Sequence, residues 1–341
     1  MTTVLVTSIG GSPAIDVARC LRCDRSVRIV GADSSSWGRK SGERLCHEVI
    51  ALPPARPNPV PYVEALIAAA SRVDFVFLGL DLEIAALAEV GRELPVPTAL
   101  APLRVLPILL DKAETERVGR DTGMLPRTVR FQGVDATEPV FAQLDFPMWV
   151  RPARGTSGKG SLRVNSRDEA KAWLQAAVSL GATGEWIAQE FLPGRNTNWS
   201  GVFVNGEVVA WASMQRLEYL LGEIAPSGVT GQVKLCETVV MPELNEAALR
   251  VVHSIDPKPH GIYSVDLRED VAGAPKVTEI NPRLAGRPWL YAQAGSNLPL
   301  AALRALRGLP VGDAVEPGGL RAKMQMYRQV DVEPLFGLND G

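Results

Sequence analysis

Glu279, Asn281 and Arg283 put a carboxylate, an amide and a guanidinium at alternate positions of one short segment, "KVTEINPRLAGR". Upstream, "YSVDLRED" carries Asp266 in an otherwise apolar stretch. Side chains of a strand alternate between its faces. Glu279 and Asn281 therefore share a face, Val277 begins that row at the same parity, and Ile280 turns away. A hairpin between the two segments brings Asp266 opposite the Glu279 strand, so Asp266, Glu279 and Asn281 offer oxygen ligands side by side. Oxygen donors without Cys or His suit Mg²⁺, with Mn²⁺ as its substitute, better than zinc. A polar face turned to solvent is the competing explanation. Against it, Tyr263, Val265, Leu267, Val277 and Ile280 mark strands that are largely buried, and a buried carboxylate pair needs a cation.

A second group of charges lies in "RPARGTSGKG", Arg151 to Gly160. A glycine-rich turn between strands bares backbone N–H groups that can cradle phosphate oxygens, and Arg151, Arg154 and Lys159 add positive charge. It is not a Walker A loop: Gly155 and Gly160 have the separation, but Ser161 stands where Lys is required. Nor is Ser157 a nucleophile elbow, since Lys159 replaces the second glycine. On this segment alone, a phosphate cradle and a plain hairpin turn with solvated charges both stand. Lys112 and Arg151 lie just before the loop and are suited to inner phosphates. Arg151 sits in the apolar strand "PMWVRPA", where a solvated surface charge is harder to accommodate.

These groups need elements to hold them. "TTVLVTSIGGSPAIDVARCLR" predicts strand, glycine turn and helix, with Ser12 as N-cap and Pro13 at the first helical position. "SVRIVGADSS" predicts a second strand ending at Asp33. "PYVEALIAAASRVDFVFLGLDLEIAALAEVG" predicts helix, buried strand, helix, an alternation that argues for a parallel α/β sheet over the first hundred residues. Gly10-Gly11-Ser12-Pro13 lacks two of the three glycines of the G-x-G-x-x-G fingerprint, so the sheet is expected to be Rossmann-like without a dinucleotide. Asp111 and Glu114 begin a helix that Gly123 ends. Further on come a helix with a Ser166…Glu169 capping box closed by Gly181, the strand of "EWIAQEFLPG", a hairpin around Asn205-Gly206, and a second hairpin through "GIYSVDLREDVAGAPKVTEINPRL". "EYLLGEIAPSGVTGQVKL" is irregular and Gly-rich enough for a loop over a site, which makes Arg216, Ser227 and Lys234 candidates for an acid-binding wall. A helix and tail end the chain.

The whole sequence narrows the function classes. Its 341 residues suggest two or three domains. Thirty-six basic against 38 acidic residues leave a formal charge of -2, which provides no bulk field for nucleic acid or an anionic membrane. No apolar run reaches transmembrane length and "MTTVLVTSIGG" does not have the form of a signal peptide, so a cytoplasmic protein is expected. Cys20 and Cys23 fall inside a helix without a second pair or a His at metal spacing, and they read with Cys46 and Cys236 as packing thiols. His47, His253 and His260 are isolated from one another.

Taken in order, the Lys112 helix, the basic strand, the glycine loop, "QEFLPG" and "VDL…EINPR" resemble the ATP-grasp superfamily. The likeness is to its carboxylate–amine ligases, and in particular to one synthetase half of the carbamoyl phosphate synthetase large chain. It covers nearly the full chain, because the first hundred residues look like the superfamily's nucleotide-free N-terminal domain, and "VDL…EINPR" is its specific part. The resemblance implies an α/β and α+β architecture: a Rossmann-like pre-ATP-grasp domain at 1–110, a small lobe at 111–184 and a C-terminal lobe at 185–341. It implies that Lys112 and Arg151 bind the α- and β-phosphates of ATP. The Arg154–Gly160 loop (Arg154, Gly155, Thr156, Ser157, Gly158, Lys159, Gly160) would close on the outer phosphates. Glu190, Phe191 and Leu192 would meet the adenine edge. Asp266, Glu279 and Asn281 would hold Mg²⁺, and Arg283 would steady the transferred phosphate. Where relatives often carry a ribose-binding Glu, this chain has Asn196. Arg287 follows in place of a small, Ser/Thr-rich stretch and would read an anionic substrate.

The activity so implied is a ligase that phosphorylates a small carboxylic acid and couples it to an amine or other nucleophile, releasing ADP and phosphate. The alternatives are carbamoyl-phosphate-type phosphorylation of bicarbonate or carbamate, an NAD-dependent oxidoreductase using the N-terminal sheet, and a nucleotide-binding module without catalysis. Many members of the superfamily pair into homodimers, but no interface is legible here.

Overall fold

A computed structural model describes residues 1–133, 140–155, 158–182, 184–328 and the strand at 335–338. The chain begins with β1 (Thr2–Thr7), α1 (Ser12–Leu21), β2 (Val27–Asp33), α2 (Ser36–Gly42), β3 (Glu48–Ala51), α3 (Pro59–Ala70), β4 (Phe75–Phe77) and α4 (Asp81–Val90). The strands form a parallel sheet in the order β3-β2-β1-β4. Val4, Leu5 and Val6 of β1 are all fully buried, as expected of a central strand covered on both faces. α1 starts one residue earlier than the sequence predicts. Gly11 is its N-cap and Ser12 already lies in the helix, its hydroxyl accepting from Arg287 and Arg328.

Short α5 (Leu106–Leu109) and α6 (Lys112–Gly119) follow. The carboxylate of Asp111 caps α6 by accepting from the amides of Ala113 and Glu114. A four-stranded antiparallel sheet comes next, from β5 (Thr128–Gln132), β6 (Met148–Pro152), β7 (Leu162–Val164) and β8 (Glu185–Glu190), in the order β5-β8-β6-β7. α7 (Arg167–Ser179) lays Ala170, Leu174 and Ala177 on it, against Met148, Val150 and Trp186. The Ser166 hydroxyl caps α7 through the Glu169 amide, but the Glu169 carboxylate accepts from Asn165 and does not close the reciprocal box.

The remaining chain builds a seven-stranded antiparallel sheet. Its strands are β9 (Asn196–Val204), β10 (Glu207–Tyr219), β11 (Val233–Thr238), β12 (Gly261–Glu269), β13 (Pro275–Asn281), β14 (Met324–Tyr327) and β15 (Leu335–Leu338). Their order is β13-β12-β9-β10-β11-β14-β15. α8 (Pro242–Ile255), α9 (Pro288–Gln293) and α10 (Leu298–Ala305) pack against this sheet and the first. The β9–β10 hairpin turns at Asn205 and Gly206, both at positive φ. The expected C-terminal tail after α10 is instead the strand pair β14–β15, added to the sheet edge through β11. Part of the expected loop over the site is also strand, since Glu218 and Tyr219 end β10, the strand that carries Arg216, and Val233 to Leu235 belong to β11.

The N-terminal and seven-stranded sheets share their cores. Val4 and Val6 join α1, α10 and the β10 face in one cluster, while Leu5 joins Trp199, Phe203, α8, Val277 and Ile280 in the other. At the seam the Ile262 amide donates to the Ala99 carbonyl at 2.8 Å. Among the described residues no helix is long and apolar enough to cross a membrane.

Candidate active site

Asp266 of β12 and Glu279 of β13 are direct cross-strand partners. The register slips between Asp266/Glu279 and Leu267/Val277, so Thr278 is the extra residue of a β-bulge. This corrects the parity reading, which counted Val277 with the polar row. The bulge turns Val277 into the core beside Ile280, three residues away, and leaves Glu279 and Asn281 on a cleft of about 340 Å³. Thr278 is tied down by its own hydroxyl, which donates to the Asp266 carbonyl at 3.1 Å.

Cations converge on these acids from three separate elements. Arg151, on β6, donates to the Thr278 carbonyl at 2.7 Å, the Glu279 carboxylate at 3.3 Å and Gln189 at 3.0 Å. The bulge that aims Glu279 thus also presents the carbonyl that docks Arg151. Lys112, the first residue of α6, has its ammonium 3.5 Å from Glu279 and donates to the Gly155 carbonyl at 2.8 Å. Arg216, on β10, donates to Asp266 at 2.5 Å and to Asn196 at 2.8 Å. Arg283 is clamped by both carboxylate oxygens of Asp81, at 2.6 and 2.7 Å. Asp81 opens α4 of the N-terminal sheet, so that sheet contributes a charged wall to the cleft.

These partners set the protonation states. Burial acts to raise the Glu279 pKa, but Lys112 and Arg151 outweigh it and hold the carboxyl at about 2. Burial pushes Asp266 up, and Arg216 opposes that push. Burial lowers Arg151, partly offset by Glu279 and Asp266, yet a guanidinium stays charged at any ordinary pH.

The remaining predicted residues divide by position. Glu190, Phe191, Leu192, Asn196, Gly158 and Arg287 also line the cleft. Glu190 is held by Arg127 at 3.1 Å, and Arg163 stacks 4.5 Å from the Phe191 ring centroid. Asn196 donates to the Tyr219 hydroxyl at 2.9 Å. Arg287 is buried and donates to Ser12 at 2.7 Å and to Gln232 at 3.3 Å. Others turn elsewhere. Arg154 is 74% exposed and pairs with Asp111, the α6 cap. Lys159 is exposed, and the Gly160 carbonyl accepts from Trp173. Lys234 pairs with Glu218, and the Ser227 hydroxyl bonds within its own loop to Val229. Thr156 and Ser157 lie outside the described residues.

The sequence reading missed Asp81, Asn198 and Gly286. Asn198 donates to Asp266 at 2.7 Å and accepts from Tyr291 at 2.9 Å. Gly286 has φ +70, and a Cβ there would stand 2.5 Å from the Asn198 Oδ1 and 2.7 Å from the Tyr291 hydroxyl. Glycine is required there by both conformation and space. Asp81 carried a faint signal as an acid in the first turn of a helix, with nothing local to name its partner.

This architecture is the ATP-grasp fold, and the chain resembles ATP-grasp carboxylate–amine ligases. An N5-carboxyaminoimidazole synthetase from Staphylococcus aureus, solved with ADP, superposes with a TM-score of 0.73 at 15% identity, covering 96% of this chain and 82% of that one. The biotin carboxylase domain of the Hydrogenobacter thermophilus 2-oxoglutarate carboxylase, a dimer solved with MgADP and bicarbonate, gives 0.70 at 13%, covering 95% and 73%. An L-amino acid ligase from Bacillus licheniformis gives 0.67 at 15%, covering 96% and 79%. In sequence, the chain is 28% identical over 176 residues to the carbamoyl phosphate synthase large chain of Hyperthermus butylicus. That match spans 48% of this chain and 15% of the relative. No family model matches the sequence.

Proposed function

We propose that the chain is an ADP-forming ligase that activates a carboxylic acid with ATP and transfers the acyl group to an amine or another nucleophile. The observation that carries this reading is the Asp266–Glu279 cross-strand pair in one cleft with Arg151, Arg283 and Glu190 to Leu192, with the Lys112 ammonium 3.5 Å from Glu279. The proposed organisation is an N-terminal domain at 1–110 and ATP-grasp lobes at 111–184 and 185–341, with the cleft between them.

Hard oxygen donors and an ionised Glu279 fit a magnesium ion, for which Glu279, Asn281 and Asp266 are the ligand candidates. Such an ion would draw charge from the outer phosphates. In the first step an oxygen of the acid attacks the γ-phosphorus, the bond to the bridging oxygen breaks, and ADP leaves. Lys112 and Arg151 bind the inner phosphates of the leaving group. Arg283, aimed by Asp81, meets the charge on the phosphoryl group in transfer. In the second step the amine attacks the acyl carbon, the bond to the phosphate oxygen breaks, and the amine loses a proton. Glu190 through Leu192 bind the adenine edge, and Asn196 replaces the usual ribose acid. The match to the carbamoyl phosphate synthase large chain favours a second reading, phosphorylation of bicarbonate or carbamate by the same cleft.

The test is a screen of carboxylic acids crossed with amines, reading ADP release and product mass. With an acid and no amine, hydroxylamine should trap a hydroxamate as ADP accumulates. AMP and pyrophosphate as stoichiometric products would refute phosphoryl transfer.

A further inference from the structure

Asp266 and Glu279 are neighbours, yet their cations hold them differently. Arg216 reaches Asp266 Oδ1 at 2.5 Å, and the same guanidinium is anchored by Asn196 Oδ1 at 2.8 Å and the Thr197 carbonyl at 3.3 Å. Its side chain is only 10% exposed. Asp266 Oδ1 accepts a second bond, from Asn198 Nδ2 at 2.7 Å. Asn198 is fixed in turn: it donates to the Val265 carbonyl at 3.2 Å, and its own oxygen accepts from Ser200 at 3.1 Å and Tyr291 at 2.9 Å. Gly286 presses against that amide with no room for a side chain. Glu279 has looser partners. Arg151 and Lys112 stand 3.3 and 3.5 Å away, and each makes shorter bonds to a backbone carbonyl. They can stay in place when Glu279 turns to another cation.

Resting on the ligase reading, we infer that Arg216 is a built-in counter-cation for Asp266, so that this cleft holds one divalent ion, on Glu279 and Asn281, rather than two. A guanidinium matches a carboxylate in charge and hydrogen-bond geometry, is weakly hydrated, and never loses its proton at ordinary pH. Magnesium gives up its water reluctantly and needs several free oxygens. A second ion reaching Asp266 through Oδ1 would have to displace Arg216, leaving a buried guanidinium without its carboxylate, and one approaching through Oδ2 alone would meet a carboxylate whose charge Arg216 already offsets. The residue balance agrees. Lys112, Arg151, Arg216 and Arg283, with Arg268 and Arg287 of the lining, are six cations against four carboxylates, Glu279, Asp266, Asp81 and Glu190. The protein supplies positive charge that a second ion would otherwise bring. Arg216 is in this sense a positioning residue that sets metal stoichiometry.

The test is a Mn²⁺ titration of the full chain saturated with ADP, reading free Mn²⁺ by electron paramagnetic resonance, with ADP binding measured in parallel by calorimetry. The wild type should bind one Mn²⁺ per chain. Arg216→Gln should bind two, the second at least about tenfold more tightly than any second ion in the wild type, within the range by which outer partners tune metal sites. Two Mn²⁺ on the wild type, or a count of one in both proteins, would overturn the inference. The wild-type count decides the stoichiometry even if the variant does not fold. ADP binding with no Mn²⁺ at all would also overturn it, while failure to bind ADP would instead sink the ligase reading.

Discussion

The N-terminal sheet and the cleft each carry a carboxylate on a strand, but backbone amides hold the first and charged side chains hold the second. In the first region Asp33 closes β2, and its carboxylate accepts from the Gly10 and Ser35 amides. Gly38 of α2 packs so close that a Cβ on Gly10 would stand 2.4 Å from the Gly38 Cα. The turn is filled by its own chain, and the acid serves the backbone. In the second region a β-bulge turns Glu279 off the core, cations from α6 and β6 pair with it, and Arg216 of β10 pairs with its neighbour Asp266. A glycine next to an acid is therefore a weak sign of a ligand site. Whether backbone amides have already satisfied the carboxylate is the more telling feature.

The largest expected effect breaks the second region. Glu279→Gln should fold yet lose more than about 99% of ATP turnover, because the proposed charged metal ligand goes and Arg151 and Lys112 lose their anion. ADP release with the acid identified by the screen measures it, and unchanged release would remove Glu279 from the site. Arg283→Ala should come next, lowering kcat about 10²-fold while ATP affinity changes little, since its proposed partner is the reacting phosphate. Asp81→Asn should act in the same direction but more weakly, as it only aims that guanidinium. A KM effect without a kcat effect would assign Arg283 to ground-state binding.

The hairpin that pairs Asp266 with Glu279 was legible because two apolar strands with polar interruptions flank a Gly-containing turn. The bulge at Thr278 was not, because counting parity assumes an unbroken pleat and a one-residue slip reverses it. The Asp81–Arg283 clamp joins residues 202 apart in sequence, a tertiary pairing that no local pattern encodes. Ser227 and Lys234 were grouped with Arg216 by loop composition. The structure separates them, since Arg216 points into the cleft from a strand while Lys234 meets Glu218 across the β10–β11 pair. The buried strands of the first sheet were readable because continuous apolar runs bounded by turns have few other uses in an α/β protein.

Smaller effects sharpen the contrast. Glycine substitutions should separate the regions: Gly10→Ala should cost about 1–3 kcal/mol of stability from its clash with Gly38 while the remaining folded protein keeps its ATP affinity. Gly286→Ala should cost a similar amount and also change metal binding, because the new methyl meets the Asn198 that, with Arg216, holds Asp266 away from an ion. Equal ATP and metal affinities in both variants would show that the Asn198 contact does not reach the site. The pH dependence should be the mildest. Glu279 is depressed to about 2 from an ordinary 4.5, so its stabilising contribution is present above about pH 4.5 and lost as the pH falls toward 2. The melting temperature of the wild type should exceed that of Glu279→Gln at pH 7, and the gap should narrow below pH 4.5. A gap that widens on acidification would contradict the ion-pair assignment.

Which region takes a nucleotide can be asked of the unmodified protein in one experiment, thermal unfolding with Mg·ATP or with NAD(H). A ligand present at a hundred times its Kd stabilises the folded state by about 2.7 kcal/mol, enough to raise the melting temperature by several degrees. The account predicts that rise with Mg·ATP and no shift with NAD(H). A rise with NAD(H) and none with Mg·ATP would contradict it and return the N-terminal glycine turn to the centre of the function.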